Sequence, residues 1–314
     1  MILNIVLIIV GFILLIKGAD ILVEGSRMIA KKMKISEIIV GLTIVSIGTS
    51  MPELFVSVTS ALSGSSDISL GNVIGSNLCN LLLILGISAL IRPIVFQKNT
   101  TKFEIPMCIF TTILFIILCN INNGLSLIDG IILILFFLLF LSYTIILGKK
   151  QASAEKESIE DLKKISVIKN IIYIILGIVG LKYGGDFVVD NSIEIANILN
   201  ISEKVISLTI VAIGTSLPEL ITSVTAAIKG SSDIAIGNII GSNIFNLLLI
   251  AGTATVIKPM NFNNTYNFQL IILLISTIML LTFPYTGKKG EMSKLEGGIY
   301  TALYILYLAL LFVF

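Results

Sequence analysis

The feature that most constrains this chain is that it contains itself twice. Residues 41–86 read GLTIVSIGTSMPELFVSVTSALSGSSDISLGNVIGSNLCNLLLILG, and residues 207–252 read SLTIVAIGTSLPELITSVTAAIKGSSDIAIGNIIGSNIFNLLLIAG. The two align without a gap at an offset of 166 and are identical at 32 of 46 positions. The match extends weakly outward, pairing Asp20 with Asp186, Glu24 with Asp190, Ser36-Glu37 with Ser202-Glu203 and Arg92-Pro93 with Lys258-Pro259. A chain of this kind folds as two like units whose best-matched segments face one another.

The solvent of those units follows from composition. Of 314 residues, 56% are hydrophobic and only 13% charged, about half the charge of a soluble domain. Runs of roughly 17–25 apolar residues, the length needed to cross a bilayer, number ten. They lie near 2–26, 36–62, 68–91, 103–120, 125–147, 167–192, 203–228, 234–257, 267–284 and 295–314. The run from Met1 to Ile16 continues into a longer helical stretch without a small-residue cleavage site, so it reads as a retained first span. The first repeat opens at span one and the second at span six. Five spans, an odd number, separate them, so the copies cross the membrane in opposite directions. The predicted fold is all-α, with ten transmembrane helices in two inverted five-helix repeats and broken central helices. Residues 1–147 form the first repeat and 167–314 the second, joined by a linker at 148–166.

Basic residues set the orientation. The loops after spans one, three, five, seven and nine carry Arg27, Lys31, Lys32, Lys34, Arg92, Lys98, Lys102, Lys149, Lys150, Lys156, Lys163, Lys164, Lys169, Lys229, Lys288, Lys289 and Lys294; the other side has Lys204 and Lys258. The positive-inside rule makes the rich side cytoplasmic, which places both termini outside an integral cell-membrane protein. Segment 148–169, with Glu155, Glu157, Glu160 and Asp161 among its lysines, reads as a solvated linker. No basic stripe suggests nucleic acid. Cys79, Cys108 and Cys119 sit in apolar runs as small core residues, and the sequence has no histidine. No cofactor and no obligate protein partner is indicated.

The motifs carry the chemistry. Gly48-Thr49-Ser50-Met51-Pro52-Glu53 and Gly214-Thr215-Ser216-Leu217-Pro218-Glu219 each fall in the middle of an apolar run. A carboxylate at mid-bilayer costs about 2.5 kcal/mol or more unless partnered. Neither motif has a Lys or Arg beside it, which leaves a cation or a proton as partner. Pro52 and Pro218 remove the helical donors to the carbonyls of Gly48 and Gly214, and freed carbonyls in a membrane need a polar partner. Carbonyl, hydroxyl and carboxylate oxygens together suit hard cations such as Ca²⁺ and Na⁺. Asn72, Ser76 and Asn80 lie at i, i+4 and i+8 on one helix face, as do Asn238, Ser242 and Asn246. Gly71 with Gly75, and Gly237 with Gly241, are small-xxx-small pairs for helix packing. Asp67 and Asp233, each after Gly-Ser-Ser, are expected to cap the helices that follow. Lys17 with Asp20, and Lys182 with Asp186, are expected to form local ion pairs.

The doubled GTS-(Met/Leu)-PE and GN-x-IGSN motifs resemble the α-repeats of the cation/calcium exchanger superfamily, most closely its prokaryotic sodium/calcium exchanger branch. The resemblance implies four central sites between spans two, three, seven and eight, with alternating access by sliding of spans one and six. It implies that Glu53 and Glu219 bind Ca²⁺ and share the Na⁺ ions. Ser50, Ser216, Thr49, Thr215, Ser76 and Ser242 would add oxygens, the backbone carbonyls of Ser46 and Ala212 would complete flanking Na⁺ sites, and Asn80 and Asn246 would line the centre. Asn246 stands where some archaeal members and potassium-dependent exchangers have an acid. Proton/calcium exchangers tend to carry an acid in the GN-x-x-E segment, often followed by His; here Gly75 and Gly241 occupy those places.

The expected function is therefore Na⁺/Ca²⁺ antiport by alternating access, electrogenic at 3:1, with no enzymatic activity. The alternative on the same fold is exchange of Ca²⁺ or another divalent cation for protons. A Ca²⁺ channel is a different class, disfavoured by twofold repetition without a pore ring. An intramembrane hydrolase built on Ser50 and Glu53 lacks a His, or a Lys beside the serine, to activate it.

Overall fold

The computed structural model describes residues 1–121, 123–151, 165–199, 212–286 and 288–313. Linker residues 152–164 and the first part of the seventh expected span, 203–211, lie outside the described residues. The chain is built from long helices: α1 (Ile2–Met33), α2 (Glu37–Thr49), α3 (Met51–Leu62), α4 (Ser66–Ile91), α5 (Thr100–Ile121), α6 (Leu127–Gln151), α7 (Val167–Ile198), α8 (Leu217–Ile228), α9 (Ser232–Ile257), α10 (Tyr266–Thr282) and α11 (Lys294–Val313). Among the described residues, eight helices are long and apolar enough to span a bilayer, nine if the bent pair α2–α3 is one span. The protein is an all-helical, multi-pass membrane protein.

Local sequence explains the stops. Lys34 ends α1 in the left-handed conformation (φ 55°), its N–H returning to the carbonyls of Ala30 and Lys31 in the manner of helix C-termini. α2 and α3 meet at Ser50 with a bend of 49°, and Pro52 opens α3 at a position where its missing N–H costs nothing. α8 likewise begins beside Pro218. The third and eighth spans are continuous, with π-helical turns at Cys79–Ile84 and Asn246–Ile250. No proline falls in either span, so every backbone donor stays in place and the helix widens by a residue where a proline would have cut it.

The helices α1 and α7 cross the molecule side by side and antiparallel. A Cβ added at Gly11 would meet Gly184 and Val188, at Gly18 Gly177 and Leu181, and at Gly25 Asn170 and Ile174. The backbones approach this closely because the glycines place nothing between them. Two short ribbons, absent from the all-α expectation, tie the halves at opposite ends. β1 (Ile94–Val95) pairs with β4 (Glu291–Met292), and β2 (Gly124–Leu125) with β3 (Met260–Asn261). Exchanging the halves turns one ribbon into the other.

The expected roles of the lesser acids change. Asp67 and Asp233 fall inside the first turns of α4 and α9; the N-cap positions are Ser65 and Ser231, and no side-chain cap bond forms. The acids still complement the positive helix end. Asp233 instead accepts a hydrogen bond from Gln97. Lys182 pairs with Asp186 at 2.8 Å as expected. Asp20, however, pairs across the fold with Lys229 at 2.6 Å, because α1 packs along α8 and brings a long cation within reach.

Candidate cation site

The bend at Ser50 and the turn at Ser216 aim the first turns of α3 and α8 at each other in the centre of the protein. Glu53 and Glu219 are both fully buried there. Each accepts a hydrogen bond from the serine of the other repeat: Ser216 Oγ to Glu53 Oε1 at 3.1 Å, and Ser50 Oγ to Glu219 Oε1 at 2.7 Å. Ser50 also reaches Ser242 Oγ at 2.9 Å. Ser76 stands beside Glu53, and Thr49 beside Glu219. The two carboxyl groups lie within electrostatic range of one another, so two acids share a buried space with no basic side chain among the described residues paired to either.

Helices α4 and α9 complete the walls. Asn72 Nδ2 donates to Ser57 Oγ at 2.9 Å and to the Glu53 carbonyl at 3.2 Å. Its counterpart Asn238 donates to Ser223 Oγ at 2.9 Å and accepts from Thr49 Oγ1 at 3.0 Å. These asparagines hold the glutamate-bearing helices against α4 and α9.

A second set of amides crosses the centre. Asn243 Nδ2 donates to the Asn77 carbonyl at 3.3 Å, and Asn77 Nδ2 to the Asn243 carbonyl at 3.4 Å. Asn80 Nδ2 donates to Asn243 Oδ1, and Asn246 Nδ2 to Asn77 Oδ1, both at 3.1 Å. The order of these bonds fixes every amide. A backbone carbonyl only accepts, so Asn243 must present its nitrogen to Asn77 and its oxygen to Asn80. Asn80 must then donate, which turns its own oxygen away from Asn243. Asn246 is fixed by Asn77 in the same way. Sequence reasoning named Asn80 and Asn246 and missed Asn77 and Asn243, although both stand in the doubled Gly-Ser-Asn and fall one position past Ser76 and Ser242.

Four oxygens are left over. Glu53 Oε2, Glu219 Oε2, Asn80 Oδ1 and Asn246 Oδ1 are buried without a hydrogen-bond partner among the described residues. Native proteins satisfy nearly all such groups, so four acceptors without a donor mark a place for something positive. No group of three or more Cys, Asp or Glu gathers among the described residues; the set here is two acids plus neutral oxygens, the kind that suits hard cations.

The other expected ligands are distributed unevenly. Thr49, Ser76 and Ser242 are buried at the centre. Thr215 occupies the turn before α8 and is only partly buried. The Ser46 carbonyl already accepts from Ser50 N at 3.0 Å and Thr49 Oγ1 at 3.3 Å. Ala212 begins the short turn Ala212–Gly214, and its side chain lies outside the described residues. Beyond the named set, Ser57 on α3 and Thr222 and Ser223 on α8 are fully buried on the glutamate-bearing helices themselves.

A multi-pass helical protein that brings an acid from each half to one buried point, at breaks in the spans that carry them, is built as a membrane transporter. Comparison with known proteins narrows the class. The chain belongs to the sodium/calcium exchanger family, whose sequence profile matches residues 3–146 and again 169–313. It is 37% identical over 283 residues to an uncharacterised membrane protein of Methanocaldococcus jannaschii, covering 90% of this chain and 89% of that one. It is 32% identical over 325 residues to the sodium/calcium exchanger MaX1 of Methanosarcina acetivorans, covering 90% and 91%. Its fold matches a structure of the sodium-calcium exchanger NCX_Mj soaked with 10 mM Na⁺ and zero Ca²⁺, with a TM-score of 0.86, 35% identity and 98% of each chain covered.

Proposed function

We propose that this protein exchanges Na⁺ for Ca²⁺ across the cell membrane by alternating access, with both ions bound between α3, α4, α8 and α9. The observation that carries this reading is the set of four unpaired buried oxygens on Glu53, Glu219, Asn80 and Asn246. Glu53 and Glu219 are its charged ligands. Ser50, Ser216, Thr49, Thr215, Ser76 and Ser242 supply hydroxyls, and the carbonyls of Ser46 and Ala212 flank the centre. Two carboxylates neutralise one Ca²⁺, whereas three Na⁺ leave one positive charge, so a 3:1 exchange moves net charge worth about 2.3 kcal/mol per 100 mV.

The architecture that supports this function is ten spans in two inverted repeats, 1–147 and 167–314, with 148–166 as cytoplasmic linker and both termini outside. Antiparallel packing of α1 on α7 supports the inversion, since these helices open the two repeats. The test is ⁴⁵Ca²⁺ uptake into proteoliposomes loaded with Na⁺, with K⁺ or with acid. Uptake is expected only against internal Na⁺ and is expected to respond to an imposed membrane potential. Uptake driven by internal acid alone would overturn Na⁺ coupling and assign the proton-coupled alternative. Flux far beyond carrier turnover would assign a channel.

A further inference from the structure

Exchange of the two halves maps a cavity on one side of the protein onto a line of buried polar atoms on the other. The cavity, about 530 Å³, is lined among others by Ile68, Asn72, Ser76, Gln269, Tyr304 and Tyr307. It runs from the exposed start of α4 to the central serine. The first three residues map onto Ile234, Asn238 and Ser242 at the offset of 166.

The outer helices need their own registers. Ser126 and Asp129 bond each other at the start of α6 as Ser293 and Glu296 do at the start of α11. That is an offset of 167, which maps Tyr304 and Tyr307 onto Phe137 and Phe140. In α5 a π-helical turn at Thr100–Glu104 inserts one residue that α10 lacks. Beyond it, the back-bonds of Thr112 to Cys108 and Thr277 to Leu273 match at an offset of 165. Gln269 therefore maps onto Glu104.

On this second side the mates are closed. Ile234, Asn238, Ser242, Phe137, Phe140 and Glu104 are all buried. Asn238 and Ser242 are hydrogen-bonded there, but Glu104 and two threonines near the line are not. Both carboxylate oxygens of Glu104, and the hydroxyls of Thr100 and Thr222, are buried without a hydrogen-bond partner among the described residues. Glu104 is 2% exposed, and its carboxylate lies within electrostatic range of Asp233 at the start of α9. Arg27 is engaged with Glu37 at 3.2 Å, and the Arg92 guanidinium packs over Gly230.

We propose that Glu104 and Asp233 form a transient cation site at the mouth of the second access path, closed in this conformation, and that they take up the hard cations, Ca²⁺ and Na⁺, passing between that face and the central glutamates. The polar atoms without partners are wall atoms of that path, solvated when it opens. The path runs from Asp233 and Glu104 past Thr100 and Thr222 to Ser242. The two mouths differ in charge: the open one has the neutral Gln269 where the closed one has an acid. Acidic lining concentrates cations locally, so affinity measured from the Glu104 face exceeds what the central site alone supplies there.

This rests on the exchanger reading, and the test separates the two. Na⁺-driven ⁴⁵Ca²⁺ uptake is measured against Ca²⁺ concentration in right-side-out and inverted membrane vesicles. Glu104→Gln, which preserves shape, is expected to raise the half-saturating Ca²⁺ about three- to tenfold at the Glu104 face and not at the opposite face. Glu104→Asp is expected to restore most of it, and Gln269→Glu to lower the value at the opposite face. Equal shifts at both faces, or none at either, would overturn the proposal while wild-type exchange left the exchanger reading intact. A readout independent of the driving ion is labelling of Glu104→Cys, with Cys79, Cys108 and Cys119 replaced, by an impermeant cationic thiol reagent. Labelling from the Glu104 face alone supports the path; labelling from neither face sinks it.

Discussion

Helices α4 and α9 are identical at 16 of 26 aligned positions and live in different surroundings. Of the most apolar stretch of each, 72% of residues are buried in α4 and 94% in α9. Gly237 on α9 is pressed against α2, where an added Cβ would lie 2.7 Å from the Ile38 carbonyl and 3.1 Å from the Gly41 Cα. Its twin Gly71 meets the Tyr266 hydroxyl at 3.2 Å. Ile234 is fully buried and its twin Ile68 is 57% exposed. The closed side also has an ion pair, Asp20 with Lys229, where the mates are Asp186, bound to its own neighbour Lys182, and the uncharged Ser63. Like sequences thus adopt unlike packing, as the proposed alternating access from two inverted repeats would require. If both sides packed alike, the centre would be open to both faces or to neither.

The largest expected effect concerns what the two halves share. Glu53→Gln and Glu219→Gln are each expected to reduce Na⁺-driven ⁴⁵Ca²⁺ uptake by about a hundredfold or more, because each removes half the charge that would balance Ca²⁺ in a buried site. A large inequality between the two variants would show that the halves are not equivalent even at the centre.

Next come the glycines, where the halves should part. Gly237→Ala is expected to destabilise the closed packing by about 1–3 kcal/mol, since backbone on both sides leaves the Cβ no room. Gly71→Ala should cost less, because only the end of the Tyr266 side chain must move. Thermal unfolding in detergent reads the difference, and equal losses would contradict the asymmetry.

The amide chain gives a smaller, symmetric effect. Asn243→Ala is expected to raise the half-saturating Ca²⁺ about tenfold, as removal of an orienting partner of a ligand does, by freeing Asn80 to turn its nitrogen inward. In an Asn80→Asp background the same change should add nothing, because a carboxylate presents oxygen either way round. A loss that persisted there would show that Asn243 acts through packing. Asn77→Ala with Asn246→Asp is the matching experiment in the other half.

The smallest effect probes the closure itself. Asp20 and Lys229 are partly solvated, 49% and 23% exposed, so the pair contributes about 0.5–1 kcal/mol after screening. Asp20→Asn is expected to raise the rate at which Glu104→Cys is labelled about two- to fivefold. Asp186→Asn, its mate, should leave that rate unchanged.

By itself, the sequence determined the solvent, the doubling, the two glutamates and the bend before Glu53. Composition, periodicity, Pro52 and a charge in an apolar run are local properties that act the same wherever the segment packs. The family resemblance implied oxygens from Ser50 and Ser216 beside the acids, and their hydroxyls bond Glu219 and Glu53. Tertiary structure alone decided the rest. Asp20 faces Lys229 and not Lys17, because helix packing brought a distant cation closer. Asn80 and Asn246 turn their oxygens inward because Asn77 and Asn243 are anchored on carbonyls that cannot donate, a directionality that spacing does not encode. Two helices identical at 16 of 26 positions, α4 and α9, end in an open cavity and a closed wall, because exposure is set chiefly by the elements packed against a segment.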